Sequence, residues 1–181
     1  DLGCHYMEHK VQQAEAMKGA KKRILEVAAQ FAALTGREYG LFEAYRMEDA
    51  EIALVLIGSS AGTAKVTVDA LRARGIPAGL VKIRVFRPFP AEELAQTLKN
   101  VKALAILDKA ESFSAQGGPL FAEVRAALYD LEPRPRTVGY VYGLGGRDIT
   151  PAHFASVFAR LEAIAAGGEL GPVYSHLGQR G

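Results

Sequence analysis

The sequence predicts an α/β fold in which helices cover both faces of a parallel sheet. Residues Glu51–Ile57 (EIALVLI) form an almost continuous apolar run, which is typical of a strand buried on both faces of such a sheet. Further apolar runs alternate along the chain with segments whose apolar residues recur every three or four positions, as in amphipathic helices. Strand–helix–strand units of this kind are joined by right-handed crossovers, which make neighbouring strands parallel.

The elements follow one another in a regular order. A leading helix over Met7–Leu34 carries one apolar stripe and ends at Gly36, a residue suited to the position after a helix. Ser59 and Ser60 are placed to cap the first crossover helix. The tail from Gly167 onward is rich in glycine and is predicted to be irregular. The other predicted elements are strands over Leu41–Tyr45, Ala78–Phe86, Val101–Leu107 and Thr137–Tyr142, and helices over Ser60–Arg74, Ala91–Leu98, Gly118–Tyr129 and Pro151–Ala165.

Composition indicates one ordinary soluble domain. The chain has 181 residues, of which 49% are hydrophobic, enough for a single sizeable core. Its 22 basic and 20 acidic residues nearly cancel, which argues against nucleic-acid binding. No apolar run approaches the roughly 18 residues of a membrane span. The one cysteine, Cys4, excludes an intrachain disulfide and an iron–sulfur cluster ligated by this chain alone, and favours a cytoplasmic location.

Because the sequence begins at Asp1 and runs directly into helical periodicity, it is expected to be part of a longer or processed chain.

The segment Gly143–Thr150 (GLGGRDIT) is the most glycine-dense turn in the chain. Its glycines adopt positive φ at little cost, so the backbone can reverse sharply after the preceding strand. Thr150 is predicted to be the N-cap of the last helix, with Pro151 at the first helical position, where its missing N–H is harmless. The turn is not a dinucleotide fingerprint, because Asp148 stands where a third glycine is needed.

Three further patterns have a chemical and a structural interpretation. His5–His9 (HYMEH) fits the inverted zinc-peptidase motif, but it lies at the start of the chain with no clear third ligand, so a solvated helix start is preferred. Gly58–Lys65 (GSSAGTAK) could attract phosphate, yet the glycine before the lysine is three positions away, and an ordinary strand-to-helix turn is favoured over a P-loop. A basic cluster on the leading helix is predicted to be solvated, with contact to a phosphate or an acidic partner as the alternative; it comprises Lys18, Lys21, Lys22 and Arg23.

The loop Asp108–Gly118 is the most polar segment at the carboxyl end of a predicted strand, which is the edge where open α/β sheets bind ligands. Asp108 or Glu111 could act as an acid or base, but no histidine or nucleophile is near them in the sequence. We expect the loop to pack against a neighbouring domain. His153, in the first turn of the last helix, is expected to pack or to face water.

Several short motifs occur together in one order and spacing. They are Tyr39-Gly40, Tyr45-x3-Asp49-Ala50-Glu51, Gly58-Ser59…Gly62-Thr63, Arg87-Pro88-Phe89-Pro90, Gly117-Gly118-Pro119-Leu120 and the GLGGRDIT turn. In combination they resemble the carboxyl-terminal part of the alpha subunit of pyruvate:ferredoxin oxidoreductases and related 2-oxoacid:ferredoxin oxidoreductases. The resemblance covers nearly the whole chain.

The resemblance implies a three-layer α/β/α fold, similar to the carboxyl-terminal domain of transketolase. Its sheet would be five-stranded and mostly parallel, with Leu41–Tyr45 as an antiparallel first strand. The implied organisation is a leading helix over residues 1–36 that links to an absent upstream domain, an α/β domain over 37–166, and an irregular tail over 167–181.

The resemblance also implies a role within a larger enzyme. The complex would oxidatively decarboxylate a 2-oxoacid such as pyruvate on thiamine diphosphate, reduce ferredoxin through iron–sulfur clusters and form acyl-coenzyme A. Thiamine diphosphate, Mg²⁺ and the clusters would be held by partners: a pyrimidine-binding domain, a thiamine-diphosphate-binding beta subunit, and gamma and ferredoxin-like subunits. No catalytic, cofactor-binding or metal-binding residue is assigned to this chain, which is expected to be inactive alone, and neither nucleic acid nor membrane is an expected partner.

The expected contact surface is a candidate interface of six residues: Asp108, Lys109, Glu111, Ser112, Arg147 and Asp148. At one of them the chain departs from the family, which usually has arginine after the aspartate; lysine keeps the charge but lacks the bidentate fork that clamps a carboxylate. Two alternatives stay open, a stand-alone binding or assembly module without redox activity and, more remotely, a zinc-peptidase fragment.

Overall fold

A computed structural model describes residues 3–113 and 116–180 of the chain. Their secondary structure comprises the helices α1 (Tyr6–Thr35), α2 (Ser60–Arg72), α3 (Ala91–Leu98), α4 (Pro119–Ala127) and α5 (Pro151–Ala165). The strands are β1 (Phe42–Tyr45), β2 (Ile52–Ile57), β3 (Ala78–Ile83), β4 (Ala103–Asp108), β5 (Arg136–Val141) and β6 (Tyr174–His176). A short 3-10 turn lies at Leu144–Gly146.

The strands form one sheet in the order β1-β3-β2-β4-β5-β6. Strand β2 pairs in parallel with β3 and β4, β4 with β5, and β5 with β6, while β1 is antiparallel at the edge. The flanking helices and the antiparallel first strand confirm the predicted fold class.

The number of strands corrects the prediction from five to six. The additional strand, Tyr174–His176, lies in the tail that was predicted to be irregular, and it pairs with β5 so that Gly139 faces Tyr174 and Val141 faces His176. Three residues are too few to show the period-two pattern by which a strand is recognised. The free edge of β5 supplies the hydrogen-bond partners that make this short segment a strand.

Apolar side chains fill the space on both sides of the sheet. Strands β2 and β4 are buried along almost their whole length. On one side, alternate residues of β2 pack with the apolar residues of α2 and α5 in a single cluster. Helices α3 and α4 pack against each other, and α4 packs against β4; their own buried residues include Leu94, Leu98 and Phe121. The result is the three-layer arrangement in which parallel sheets are normally found.

Helix α2 begins differently from the prediction. The side chains of Ser59 and Ser60 make no capping hydrogen bond, and the first turn is closed by backbone bonds from Ala61 to the Gly58 carbonyl and from Gly62 to the Ser59 carbonyl. The Ser60 side chain is instead buried beside the Tyr142 phenol. Ser60 therefore packs inside the domain and does not cap the helix.

The chain divides into two compact units. One comprises the described residues of Asp1–Phe42 together with Arg84–Pro90, and the other those of Glu43–Ile83 and Ala91–Gly181. Within the first unit, α1 is 30 residues long, has no buried residue, and ends where the Gly36 N–H donates to the Ala32 carbonyl (2.8 Å). No helix in the described ranges is both long and apolar enough to cross a membrane.

Candidate functional site

Polar side chains gather at the carboxyl edge of the parallel strands. Asp108 ends β4, Tyr142 directly follows β5, and His176 ends β6, while Glu111 lies in the loop after β4. Because these strands are parallel and in register, their carboxyl ends lie side by side. We refer to Asp108, Glu111, Tyr142, Tyr174 and His176 as the carboxyl-edge cluster.

Asp108 is buried and caps helix α4. Its Oδ1 accepts a hydrogen bond from the Leu120 N–H (2.8 Å), and its Oδ2 accepts one from the Phe121 N–H (2.9 Å). Both donors belong to the first turn of α4, whose N–H groups have no partner within the helix. Gly118 permits this approach, since a Cβ there would lie 2.3 Å from the Asp108 Cγ. The first residue of the predicted interface therefore joins β4 to α4 and offers no free carboxylate at the surface.

Burial disfavours charge on three groups of the cluster, Asp108, Tyr142 and Tyr174. Burial raises the pKa of the Asp108 carboxyl above its ordinary value, although the two backbone donors lower it. Burial likewise raises the pKa of Tyr142, and the nearby Ser60 side chain opposes this rise. Burial raises the pKa of Tyr174 to about 12, with the Glu111 and Asp108 carboxylates adding to the rise. The two phenols are thus held protonated, and neither hydroxyl has a hydrogen-bond partner among the described residues.

Glu111 connects the loop after β4 to the tail strand. Its Oε2 lies 2.7 Å from the His176 Nε2, and its Oε1 accepts a hydrogen bond from the Ser112 N–H (3.1 Å). The side chains of Glu111 and His176 are 33% and 53% exposed, so solvent weakens the electrostatic part of this contact. Next to this pair, the Tyr174 ring packs on that of Phe121, with the ring centres 5.7 Å apart.

The glycine turn forms the other half of this edge. Gly143, Gly145 and Gly146 have φ values of 66°, 62° and 78°, which confirms that the turn uses positive φ. Arg147 follows the turn and donates through Nη1 to the Gly178 carbonyl (2.7 Å), whereas Asp148 is exposed. Lys109 is exposed and its aliphatic stem runs beside Gly143.

Two shallow cavities open beside the turn. One of about 340 Å³ is lined by Tyr142, Arg147 and His176 together with Gln179 and neighbouring apolar residues. The other, of about 700 Å³, is lined by the glycines of the turn, Asp148 and His153. The structure therefore places all six residues of the candidate interface at one edge of the sheet, with Asp108 beneath its surface.

The start of α5 confirms the predicted cap. Thr150 and His153 form a reciprocal capping box, in which the Thr150 N–H donates to the His153 Nδ1 (3.1 Å), and Pro151 is at the start of the helix. This bond assigns the ring proton of neutral His153 to Nε2. His153 is half-buried, and its ring also lies against Gly178 of the tail.

The tail residues of the cluster were missed from the sequence. Tyr174 and His176 lie in the segment predicted to be irregular. They are 63 and 65 positions along the chain from Glu111. The only sequence signal was an aromatic and a histidine two residues apart, the spacing that puts both side chains on one face of a strand.

The other candidate motifs lie elsewhere. His5, which immediately precedes α1, and His9, in its first turn, are exposed, with their ring centres 6.5 Å apart. In the described part of the chain, no group of three or more His, Cys, Asp or Glu side chains is placed to hold a metal ion. Within the basic cluster of α1, Lys18 pairs with Glu15 (2.5 Å) and Arg23 with Glu26 (2.6 Å), as expected for a solvated helix surface.

The sequence matches the family described as pyruvate:ferredoxin oxidoreductase core domain II over residues 50–154. The chain belongs to this family. The matched segment runs from Ala50, two residues before β2, to the first turn of α5. It therefore contains Asp108, Glu111, Ser112 and the glycine turn, but ends before the tail that supplies Tyr174 and His176.

Curated relatives of this core domain II protein are subunits of larger oxidoreductases. The pyruvate synthase subunit PorA of Thermotoga maritima is 48% identical over 158 residues, which cover 87% of this chain and 40% of that protein. The ketoisovalerate oxidoreductase subunit VorA of Pyrococcus horikoshii is 39% identical over 166 residues, covering 91% of this chain and 42% of that protein. The chain thus spans about two fifths of the length of these relatives.

A solved structure of a split-gene transketolase, an inactive tetramer, resembles the fold. It covers 69% of this chain and 43% of its own, with a TM-score of 0.51 and 21% sequence identity. At this identity the likeness concerns the fold alone. It supports the transketolase-like architecture that the sequence motifs imply for this chain.

Proposed function

We propose that the chain is the carboxyl-terminal assembly domain of the alpha subunit of a thiamine-diphosphate-dependent 2-oxoacid:ferredoxin oxidoreductase. The complete enzyme would convert a 2-oxoacid, coenzyme A and oxidised ferredoxin into acyl-coenzyme A, CO2 and reduced ferredoxin. The observation that carries this proposal is family membership over residues 50–154, together with 87% coverage of the chain by a pyruvate synthase subunit.

The state of the carboxyl-edge cluster supports an assembly role over a catalytic one. The Asp108 carboxylate is engaged by two N–H groups of α4, and Glu111 is engaged by His176 and the Ser112 N–H. Arg147 is engaged by the Gly178 carbonyl. A general acid or base must reach the proton that it transfers. These groups instead connect strands, loop and tail of their own domain, which suits a rigid surface against which another domain docks.

The names of the relatives support the same division of labour. Closely similar segments occur in a pyruvate synthase and in a ketoisovalerate oxidoreductase, whose substrates differ in the size of their apolar group. A domain that occurs in enzymes with different substrates is suited to a structural task that these enzymes have in common. The 2-oxoacid would then be selected elsewhere in the complete enzyme.

The donor groups of the described residues do not fit the family's cofactors. Mg²⁺ bound to a diphosphate needs several oxygen ligands in a near-octahedral arrangement, and iron–sulfur clusters need about four thiolates. The described residues hold no group of three ligating side chains, and the chain has one cysteine, Cys4. We therefore assign both groups to partners, namely a pyrimidine-binding domain, a beta subunit, and gamma and ferredoxin-like subunits, in a cytoplasmic complex.

Helix α1 supports a second contact with the rest of such an enzyme. Large apolar side chains along it are exposed, including Val11 (54%), Leu25 (42%) and Val27 (61%). Isolated helices gain most of their stability in proteins from packing of an apolar face. We propose that residues 1–36 link the α/β domain of residues 37–166 to a preceding domain that covers these side chains, and that the tail over 167–181 closes the sheet edge.

The test is a reconstituted full-length oxidoreductase that carries Glu111→Ala and Ser112→Ala. We expect weaker subunit association or lower 2-oxoacid-dependent ferredoxin reduction, with an unchanged pH profile, because the changes disturb domain register and remove no proton-transfer group. Glu169→Ala, an exposed acidic residue away from the cluster, is the matched control and is expected to leave both measurements unchanged. Intact association with lost turnover and a shifted pH profile would show that the loop is catalytic.

A further inference from the structure

A separate groove runs between α4 and the tail. It has a volume of about 760 Å³ and is bounded by the outer surface of α4, the first residues of β5, and Leu170 and Val173 of the tail. We call it the α4–tail groove. It begins at Arg136 and Thr137, the amino-terminal residues of β5, and extends to Phe121, whose ring also packs on Tyr174 of the carboxyl-edge cluster.

Apolar surface forms most of the lining of this groove. Leu128, Phe121 and Pro135 form buried parts of its wall, and Ala122 and Ala126 leave α4 without bulky side chains along it. Tyr129 stands at the rim with 70% of its surface exposed. Concave, mainly apolar pockets of about 300–1,000 Å³ with a few convergent polar groups are typical of small-molecule sites. The α4–tail groove meets this description in both size and lining.

The polar groups of the groove are predominantly cationic. Three arginines and a single acidic residue line it: Arg125, Arg134, Arg136 and Asp130. Among the described residues, neither Arg125 nor Arg136 has a carboxylate partner. The Arg125 guanidinium lies 5.2 Å from the centre of the Phe121 ring, and Arg136 donates only to the carbonyls of Ile164 (3.2 Å) and Gly168 (2.6 Å).

These guanidinium groups are already held in position. Arg134 lies 5.3 Å from the centre of the Tyr129 ring and donates to the Tyr129 carbonyl (2.8 Å), and Arg136 is fixed by its two carbonyl acceptors. Side chains fixed before binding lose little further freedom when a ligand arrives. Each guanidinium carries five N–H donors in a fork that matches a carboxylate or a phosphate, so donors remain after these bonds are made.

We propose that the α4–tail groove binds a small organic anion with a planar aromatic group. The aromatic group would pack on the apolar wall beside Tyr129, and the anionic group would accept hydrogen bonds from Arg125 and Arg136. Carboxylate and phosphate are both acceptors of this kind, so an aromatic carboxylate and a nucleoside phosphate share the required chemistry. The proposal does not depend on the assembly role given above.

The test is a titration of the full ¹⁵N-labelled chain, followed by ¹H–¹⁵N correlation spectra. The probes are ADP, 2-naphthoate and, as an uncharged comparison, adenosine. We expect saturable shifts of the backbone amides of Arg125, Ala126, Tyr129 and Thr137 with at least one anionic probe, and much weaker binding of adenosine. Binding of ADP alone would identify phosphate as the anionic group, and binding of 2-naphthoate alone would identify carboxylate.

Variants separate this site from general attraction to a basic surface. Arg125→Gln removes a charge that lies over the Phe121 ring, and Arg74→Gln removes an exposed charge just after α2. Loss of a charge-assisted hydrogen bond is expected to weaken probe binding at least about tenfold in Arg125→Gln and to leave it unchanged in Arg74→Gln. The proposal is overturned if no saturable shift appears, if shifts concentrate on the lysines of α1, or if both variants weaken binding equally.

Discussion

Asp108 shows how one side chain can have a role that its residue type does not reveal. As a carboxylate at the end of a strand it was a natural candidate for an exposed contact, but its two oxygens bond the N–H groups of Leu120 and Phe121 inside the domain. Such a cap satisfies two backbone donors that a helix leaves without partners. Asp108 therefore helps to fix the position of α4, and with it the end of the loop that precedes α4.

Replacing Asp108 with asparagine is expected to change how stability depends on pH. Burial raises the pKa of the folded Asp108 carboxyl above that in the unfolded chain, which is about 3.9. Between these two pKa values the folded state binds more protons than the unfolded state, so the free energy of unfolding falls as pH rises through that interval. The Asp108→Asn variant lacks this contribution, and urea unfolding of both proteins at a series of pH values measures the difference.

The stability that Asp108 contributes is expected to change with pH in one direction. The stability of the natural protein relative to Asp108→Asn should be greatest below the ordinary carboxyl pKa, should decrease as pH rises from there to the raised pKa, and should be constant above it. If the difference instead increased with pH, the two N–H donors would outweigh burial, and the folded pKa would lie below its ordinary value.

The glycine turn supports a second prediction at the scale of single residues. Gly145 and Gly146 have positive φ and open space around the position of a Cβ, so a side chain there would be opposed by backbone strain alone. Gly145→Val and Gly146→Val should each lower the free energy of unfolding by about 1–3 kcal/mol. The control is Gly62→Ala in α2, where space is also open but φ is not positive; it should raise stability by about 0.4–1 kcal/mol. Equal thermal midpoints for the two valine variants and the natural protein would contradict the turn conformation.

At the scale of elements, the tail is held to the domain by arginines that donate to its backbone carbonyls. Arg136 reaches Gly168, Arg147 reaches Gly178, and Arg160 reaches Leu170 (2.7 Å) and Pro172 (2.5 Å). A three-residue strand has few ladder bonds of its own. The arginines therefore supply much of what keeps β6 on the edge of the sheet.

A glycine in β5 makes room for the aromatic contact between α4 and β6. A Cβ at Gly139 would lie 2.7 Å from ring carbons of both Phe121 and Tyr174. Glycine in a strand interior often marks such a close approach. The Phe121–Tyr174 contact thus depends on a residue that carries no side chain.

Arg160→Ala is expected to loosen β6 without unfolding the domain. The change removes the bonds to Leu170 and Pro172, and hydrogen bonds from a charged donor are worth about 1.5–3 kcal/mol each. Hydrogen exchange at Gly139 and Leu177, whose N–H groups bond across the β5–β6 pair, should become at least about tenfold faster. Arg74→Ala, an exposed arginine remote from the tail, is the control. Unchanged exchange at both amides in Arg160→Ala would show that the ladder alone holds the strand.

At the scale of the whole molecule, α1 is the feature that the isolated chain does not explain. Its 30 residues include none that are buried, and several of its large apolar side chains are exposed. Large apolar side chains that stay exposed along a helix are candidates for a contact with another protein or domain. This is the basis on which we propose that α1 is covered in the complete oxidoreductase.

Leu25→Ser tests that proposal in the reconstituted enzyme. Burying a leucine side chain contributes about 1.5–3 kcal/mol, so its loss from a covered surface should weaken association of the subunits by at least about tenfold. The isolated chain should keep its thermal midpoint, because Leu25 is 42% exposed there. Gln30→Ser, also exposed on α1, is the matched control. Association that is equal in Leu25→Ser and Gln30→Ser would mean that this part of α1 is not covered.

The sequence by itself determined the fold class, the order of the elements and the family. These depend on short-range patterns: an apolar run such as Glu51–Ile57 specifies a buried strand, and Thr150 with Pro151 specifies a helix start. Each pattern is complete within a few residues, so its physical cause is local. The positive φ of the glycine turn belongs to the same class, because no other residue adopts it so cheaply.

Only the tertiary structure decided the sixth strand and the partners of the polar groups. Tyr174–His176 becomes a strand because β5 offers it a free edge, and Asp108 turns inward because the first turn of α4 needs acceptors. The pairing of Glu111 with His176 joins residues 65 positions apart. Such interactions depend on which distant segments the fold brings into contact, and no local sequence pattern specifies this.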